Sequence, residues 1–382
     1  MKKLPLGIQS FREIIESGYI YVDKTRYIYE LITNAKHYFL SRPRRFGKSL
    51  LLDTIAELFS GDRALFKELW INNSDYSFEM HPVLHIDLSS IANKTPDILE
   101  NELSIALEKR AKQESIGISG STPSAKLKAL IEALNNKYGK RVVVLIDEYD
   151  KPILDHISDA DTAEANRAVL RGFYGILKSM DPHLKLTLVT GVTKFTKTSL
   201  FSEMNNLLDI TLSEKYANIC GIPTEDLGEL FQEHIEYLSS LEKFRLFQNL
   251  HDEILAWYDG YSWDGVTKVL NPFGLFSFIM QERFSSFWYS SGSPKFLMDL
   301  IKQNPEAYAN IRDLKIRELT LDIFDIRNLQ AAPLLFQTGY LTIKEVVNST
   351  GFDSTAYILG TPNREVREEL TKLCSLSLGE TR

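Results

Sequence analysis

Residues 40–49 read Leu-Ser-Arg-Pro-Arg-Arg-Phe-Gly-Lys-Ser. The closing Gly47-Lys48-Ser49 has the form of the end of a phosphate-binding loop, G-x-x-x-x-G-K-[ST]. Counting back, Arg42 stands where the first glycine of that pattern belongs. A short apolar run, His37-Tyr38-Phe39-Leu40, leads in as a strand, and Ser49 to Phe59 follows as a helix aimed back at the loop. That setting suits phosphate binding, because backbone N–H groups and the positive end of a helix dipole attract a polyanion. Gly47 would let the backbone approach closely, Lys48 would reach the β and γ phosphates, and the Ser49 hydroxyl would take Mg2+. If the loop needs a left-handed residue at 42, Arg42 costs roughly 1–2 kcal/mol there. Pro43 supplies no N–H. Against this, Arg42, Arg44 and Arg45 bring three cations to the mouth, and one could contact the γ phosphate. The bland alternative is an arginine-rich turn before an ordinary helix.

The second half of the motif weighs against that alternative. Roughly a hundred residues on, Val142-Val143-Val144-Leu145-Ile146-Asp147-Glu148 is an aliphatic strand ending in two acids. Asp147 would hold the metal's water shell, and Glu148 would polarise the attacking water as general base. Thr190, ending the strand-like run from 185, is expected beside that strand, either as a sensor of the γ phosphate or as a strand-end cap. Lys194 and Lys197 lie just beyond, able to approach phosphate or simply solvated. His81 and His85 are four apart, but Pro82 and the strand pattern argue against a metal pair.

The whole chain has 382 residues, with 44% hydrophobic and 25% charged residues, within the range of soluble globular proteins. A formal net charge of -7 argues against nonspecific coating of nucleic acid or anionic membrane. Two cysteines at 220 and 374 give no metal or disulfide spacing, and no signal peptide or transmembrane run is legible, so the cytoplasm is expected.

Alternating helix and strand patterns predict an α/β fold: a P-loop NTPase core with a parallel sheet and flanking helices over 1–214. Within it, helices are expected from a cap near Asp23, from Thr95-Pro96-Asp97, over about 125–138, and over 162–179 with Asp161 and Glu164 as a capping box. Residues 113–124 read as an exposed connection, and 209–213 as the sheet's last strand. A helical, lid-like domain follows over 215–308, rich in aromatics at 257–263 and 284–289. The 257–263 run could stack on bases, but packing explains it better. Two short strands joined by a polar loop behind helices suggest a winged-helix-like module over 309–382. Its Lys344, Arg364, Arg367 and Lys372 are thin for a DNA-reading surface.

Several stretches in order carry a resemblance: Y-V-D-K-T, R-P-R-R-F-G-K-S-L, L-I-D-E-Y-D-K-P-I, T-G-V-T-K-F, L-F-S-E-M-N-N-L-L-D-I-T, W-Y-D-G-Y, N-P-F-G-L-F and G-Y-L-T-I. From about residue 5 to 365 the chain resembles the predicted AAA-ATPase-like proteins of bacteria, P-loop proteins near the archaeal-type and STAND ATPases. The resemblance implies ATP and Mg2+ as ligands, held by 42–50 (Arg42, Pro43, Arg44, Arg45, Phe46, Gly47, Lys48, Ser49 and Leu50). It places Ser49 and Asp147 on the metal and Glu148 as base, and makes Arg42 a family trait. It also implies an adenine pocket near Tyr21, Asp23 and Lys24. Members commonly continue into a PD-(D/E)XK nuclease, which this sequence is expected to lack. A separate effector protein or a homo-oligomer is then the expected partner, with nucleic acid unsupported by charge.

Two function classes follow. One is a Mg2+-dependent ATPase acting as a conformational switch, in nucleic-acid or defence processes. The other is a non-catalytic nucleotide-binding scaffold or protein-interaction module; a third class beside these two, direct sequence-specific DNA binding through the winged helix, would show steep salt dependence.

Overall fold

The computed structural model describes residues 1–194, 206–288, 314–321, 330–347 and 355–377. Lys197, the helical run expected beyond 288 and the loop of the C-terminal hairpin lie outside the described residues.

The first helices are α1 (Phe11–Glu16) and α2 (Thr25–Asn34). Asp23 shapes the entry to α2, accepting from Thr25 N at 2.8 Å and from Trp70 N at 2.7 Å. Strand β1 (His37–Ser41) then runs into the loop, and α3 (Lys48–Ser60) leaves it. After β2 (Val83–Asp87), the side chains of Thr95 and Thr122 cap α4 (Pro96–Gln113) and α5 (Pro123–Tyr138). Both helices carry proline in the first turn, where no N–H partner is lost. Strand β3 (Val142–Asp147) is buried along its length. The short α6 (Lys151–Leu154) and long α7 (Ala160–Ser179) separate it from β4 (Leu184–Gly191). The start of α7 differs from the expected capping box. Asp159, not Asp161, caps it, accepting from Thr162 N and Oγ1, because the chain is still non-helical at Asp159.

The five strands form a parallel sheet in the order β2-β3-β4-β1-β5. The expected edge strand at 209–213 is shorter and earlier: β5 is Leu208–Asp209, paired with Tyr38 and Phe39. Asp209 Oδ1 accepts from Thr211 N, folding the chain into a turn that ends the pairing.

The region after 214 holds β6 (Ile222–Pro223), α8 (Asp226–Leu230), α9 (Gln232–Ser240), α10 (Leu250–Tyr258), β7 (Val269–Leu270) and α11 (Pro272–Gln281). Most of the apolar side chains of its helices, with Ile20, make a second core, while Tyr261, Trp263 and Val269 join that of the sheet. The C-terminal part holds β8 (Leu314–Arg317), α12 (Glu318–Leu321), α13 (Ala331–Thr338), β9 (Thr342–Val347), β10 (Ala356–Gly360) and α14 (Arg364–Ser377). The expected hairpin is there, with β8 added to give an antiparallel order β8-β10-β9. Leu334, Tyr340 and Leu359 of this part share one core with the parallel sheet. Of the basic residues noted there, Arg364 pairs with Glu253, Lys372 with Glu369, and Lys344 donates to the Pro362 carbonyl.

Candidate functional site

Strand order decides where chemistry can gather. Because β4 lies between β1 and β3, the loop after β1 and the acids after β3 flank one crevice at the strands' C-terminal ends, where open parallel sheets bind ligands. Ser41 pairs with Gly191 and Ile146 with Val189, so these ends are level.

The loop wraps its own lysine. Gly47 is left-handed (φ 90°) and opens α3, and a Cβ there would meet nothing within 4 Å, so its outer face is clear for a ligand. Lys48 is buried, its Nζ donating to the carbonyls of Arg42 (3.0 Å) and Pro43 (3.1 Å). Ser49 Oγ donates to Asp147 Oδ2 at 2.5 Å, joining the ends of the two motifs directly. The other Asp147 oxygen accepts from Thr190 Oγ1 (2.7 Å) and Glu148 N (2.9 Å). Asp147 is therefore fixed on three sides.

Glu148 is held in left-handed backbone (φ 49°), a conformation costing about 1–3 kcal/mol that gathers at functional sites. Its carboxyl lines the cavity and sits above the ordinary carboxylate range. Burial raises it, Lys48 and Arg44 pull it back, and Asp150 and Asp147 add to the rise. A carboxylate raised toward neutral pH is a better proton acceptor.

Several expectations change. Arg42 does not stand at the mouth. Its guanidinium is fully buried, donating to the carbonyls of Ser41 (2.9 Å), Thr211 (2.8 Å) and Tyr216 (3.3 Å), and stacks 4.0 Å over Trp263. The left-handed loop positions are Arg45 (φ 69°) and Gly47, not residue 42, so the strain expected at Arg42 falls on Arg45. Thr190 is also fully buried, and its hydroxyl donates to Asp147 Oδ1. In this geometry it positions the acid. Lys194 pairs with Asp209 at 2.6 Å. Pro43 and Phe46 are buried, Phe46 lying edge-on to Tyr261 (4.8 Å) and Trp263 (5.5 Å). The 257–263 aromatics are thus packing, as expected: Tyr261 and Trp263 back the loop itself, while Trp257 and Tyr258 stack on Phe284.

Arg44, Arg45, Gly47, Lys48, Ser49 and Leu50 line a cavity of about 460 Å³ together with Glu148, Tyr21 and Lys24. Phe273 and Phe276 of α11 close it from the helical region, and Arg45 stacks 4.7 Å from the Phe273 ring. Asp23 does not line it, being engaged by Thr25 and Trp70. Sequence reasoning missed two supports. Asp150 is buried and accepts from Val192 N, Thr193 N and Thr193 Oγ1, tying the chain after β4 to the acid-bearing turn. Trp288 donates its indole N–H to Arg44 O at 3.0 Å. The D-E-Y-D and T-G-V-T letters carried the first signal; nothing in the sequence carried the second.

The donor set fits a hard divalent ion. A hydroxyl and a carboxylate lie side by side, and among the described residues no group of three or more His, Cys, Asp or Glu could hold a metal. Ser49 and Asp147 would therefore suit an ion that keeps water and phosphate oxygens as its other ligands, the habit of Mg2+.

A parallel sheet in this order, with a glycine-opened helix after β1 and acids after β3, fits a P-loop-like domain. The chain belongs to the AAA-ATPase-like family, whose model, described as predicted AAA-ATPase, matches residues 5–201. It is also 38% identical over 373 residues to an "Uncharacterized protein in vnfD 5'region" of Azotobacter chroococcum mcd 1, covering 97% of this chain and 69% of that protein. Among the described residues no helix is long and apolar enough to cross a membrane.

Proposed function

We propose that the chain binds ATP with Mg2+ at the Gly47–Ser49 loop and hydrolyses it, using the cycle as a conformational switch. One observation carries this reading: Lys48, Ser49 and Glu148 line a single cavity at the opening of α3, with Asp147 hydrogen-bonded to Ser49 beside it. The N–H groups at the start of α3 and Lys48 bind the polyphosphate, with Lys48 exchanging its loop carbonyls for phosphate oxygens. Ser49 and Asp147 hold the metal, which when bound neutralises charge on the β and γ phosphates. Thr190 and the Glu148 N–H keep Asp147 in place. Glu148 orients the attacking water and accepts its proton. Arg44 and Arg45 add positive charge at the mouth.

The Trp288 indole on the Arg44 carbonyl supports the switch, since a shift of the loop on phosphate binding pulls directly on the segment after α11. The C-terminal module reads as winged-helix-like, its α13 followed by the β9–β10 hairpin with β8 alongside. With Arg364 and Lys372, two of the four basic residues noted there, held in ion pairs, it serves protein contact, to a separate effector or a second copy, better than DNA.

The test is phosphate release from ATP with and without Mg2+, beside equilibrium ATP binding. Glu148→Gln is expected to keep binding and lose turnover by at least about 100-fold, within the range for a general base. Lys48→Ala is expected to lose both. Turnover persisting in Glu148→Gln would reject the assigned base. Binding with no turnover in the wild type would leave the scaffold reading, which the closed Lys48 and Ser49 hydrogen bonds favour.

A further inference from the structure

Glu148 holds a left-handed backbone (φ 49°), and such a conformation persists only where its surroundings fix it. What fixes it comes from the end of β4. Tyr149 N donates to Thr190 O at 3.1 Å, and Tyr149 Oη donates to Thr193 O at 2.9 Å. The buried Asp150 accepts from Val192 N (3.1 Å), Thr193 N (2.6 Å) and Thr193 Oγ1 (2.6 Å). Gly191 lets the turn lie this close, since a Cβ there would stand 2.4 Å from Tyr149 Cδ1. Residues 149–150 and 190–193 are thus one clasp behind the base. A different part of the chain holds its far end. The next N–H, that of Lys194, donates to Gln337 Oε1 at 3.0 Å, and Gln337 Nε2 donates to Leu321 O at 2.9 Å. Gln337 lies in the last turn of α13 and is 6% exposed, so the amide is shielded from water and an N–H bonded to it has no cheap substitute. Lys194 Nζ pairs with Asp209 of β5 at 2.6 Å, which grips the same residue by its side chain.

We propose that Gln337 is a positioning residue for the base: by holding Lys194 N it keeps the 190–193 segment on Tyr149 and Asp150, and so keeps Glu148 turned to the cavity. This rests on the hydrolysis reading above. A general base works only within hydrogen-bond reach of the water it deprotonates, and a small misplacement costs rate. The polyphosphate is held elsewhere, by the start of α3 and Lys48, on the far side of β4 from the acids. Losing the Gln337 acceptor therefore lowers kcat and leaves ATP affinity where it was. The C-terminal part sets turnover in this way without touching nucleotide, and a displacement of α13 slackens the base through Lys194, Thr193 and Asp150 in turn.

The experiment measures kcat, KM and equilibrium ATP affinity, with melting curves, for wild type, Gln337→Leu, Gln337→Glu, Asp150→Asn and the double variant Gln337→Leu/Asp150→Asn. Gln337→Leu is expected to lower kcat by about two- to thirtyfold, the span of couplings carried through packed networks, at unchanged ATP affinity. Gln337→Glu keeps an acceptor for Lys194 N and loses the donor to Leu321 O, so it should melt lower than wild type yet keep most of kcat. Asp150→Asn should also lower kcat, and the double variant should be no slower than the slower single one, because groups on one path are not additive. Rates that follow melting temperature across the set, with Gln337→Glu as slow as Gln337→Leu, would overturn the proposal and make Gln337 a structural residue. So would losses that multiply in the double variant, or ATP affinity that falls in step with kcat. Turnover lost in Glu148→Gln but untouched in Gln337→Leu would reject this inference alone. A wild type without turnover would reject the hydrolysis reading and this inference with it.

Discussion

Glu365, in the first turn of α14, is fully buried, and its Oε1 accepts from Trp288 N at 2.7 Å. Its Oε2 has no partner among the described residues and points toward Gly274, where a Cβ would stand 3.1 Å away. Burial pushes this carboxyl up to about 8, with Glu369 adding to the rise and the N–H groups of Trp288 and Phe287 opposing it. The folded value thus lies above the ordinary 4.5 of the unfolded chain. Below pH 4.5 both states hold the proton, and the group takes nothing from stability. As pH climbs from 4.5 to about 8 the unfolded chain ionises first, and stability falls. At 1.36 kcal/mol for each pH unit, the ceiling on that loss is about 5 kcal/mol. Glu365→Gln keeps the acceptor for Trp288 and removes the proton. Urea unfolding of both proteins from pH 5 to 9 reads the difference directly, other titrating groups cancelling. The variant is expected to gain on wild type by more than about 1 kcal/mol between pH 5 and 8, a fifth or more of that ceiling. Parallel curves across the whole range would refute the reasoning and mean that Glu365 is solvated or already ionised.

Three further substitutions test the loop and its supports. Gly191→Ala places a Cβ 2.4 Å from Tyr149 Cδ1 and 2.6 Å from Asp150 Oδ1, and an overpacking loss of about 1–3 kcal/mol is expected in thermal unfolding. A melting temperature within a degree of wild type would show that the turn after β3 yields freely. Arg42→Met strips the donors from three carbonyls and the stack on Trp263, so stability should fall by at least about 2 kcal/mol. Reduced nucleotide affinity at unchanged stability would instead return Arg42 to the mouth of the loop. Arg45→Gly removes left-handed strain worth about 1 kcal/mol and also a cation at the cavity. Equal or higher stability with weaker ATP binding is expected, and lower stability would count against the strain.

Much of the sheet was legible because its signals are local. Five aliphatics from Val142 to Ile146 can only sit in a strand covered on both faces, and Thr95-Pro96 starts a helix by a hydrogen bond within three residues. Thr122-Pro123, read as part of a connection, instead opens α5 two residues before the expected start. The misreadings have the opposite character. The run at 209–213 has strand composition, but Asp209 closes a turn onto Thr211 that hydropathy does not register. Thr190 stands at the expected place, and its hold on Asp147 from the neighbouring strand is a contact that no local pattern announces. Trp288, 244 residues from Arg44, belongs to the site through one hydrogen bond that no periodicity announces.

The arginine in place of the loop's first glycine is the clearest case of a letter whose meaning lies elsewhere in the chain. A glycine is needed where the backbone is left-handed, and residue 42 is not such a place. With the backbone requirement absent, the position is free to carry a side chain, and a long planar cation is what the surroundings can hold. Three carbonyls, from Ser41 and from the turn after β5, face the guanidinium, and Trp263 covers it. The same aromatic segment receives Phe46 against Tyr261 and Trp263. R-P-R-R-F at 42–46 and W-Y-D-G-Y-S-W at 257–263 are therefore two halves of one packing unit that fixes the loop from behind, while Gly47, Lys48 and Ser49 remain turned toward the cavity. Rigidity that a glycine-rich loop takes from its own turns is supplied here by the region after the sheet, so the loop's shape depends on that region's position.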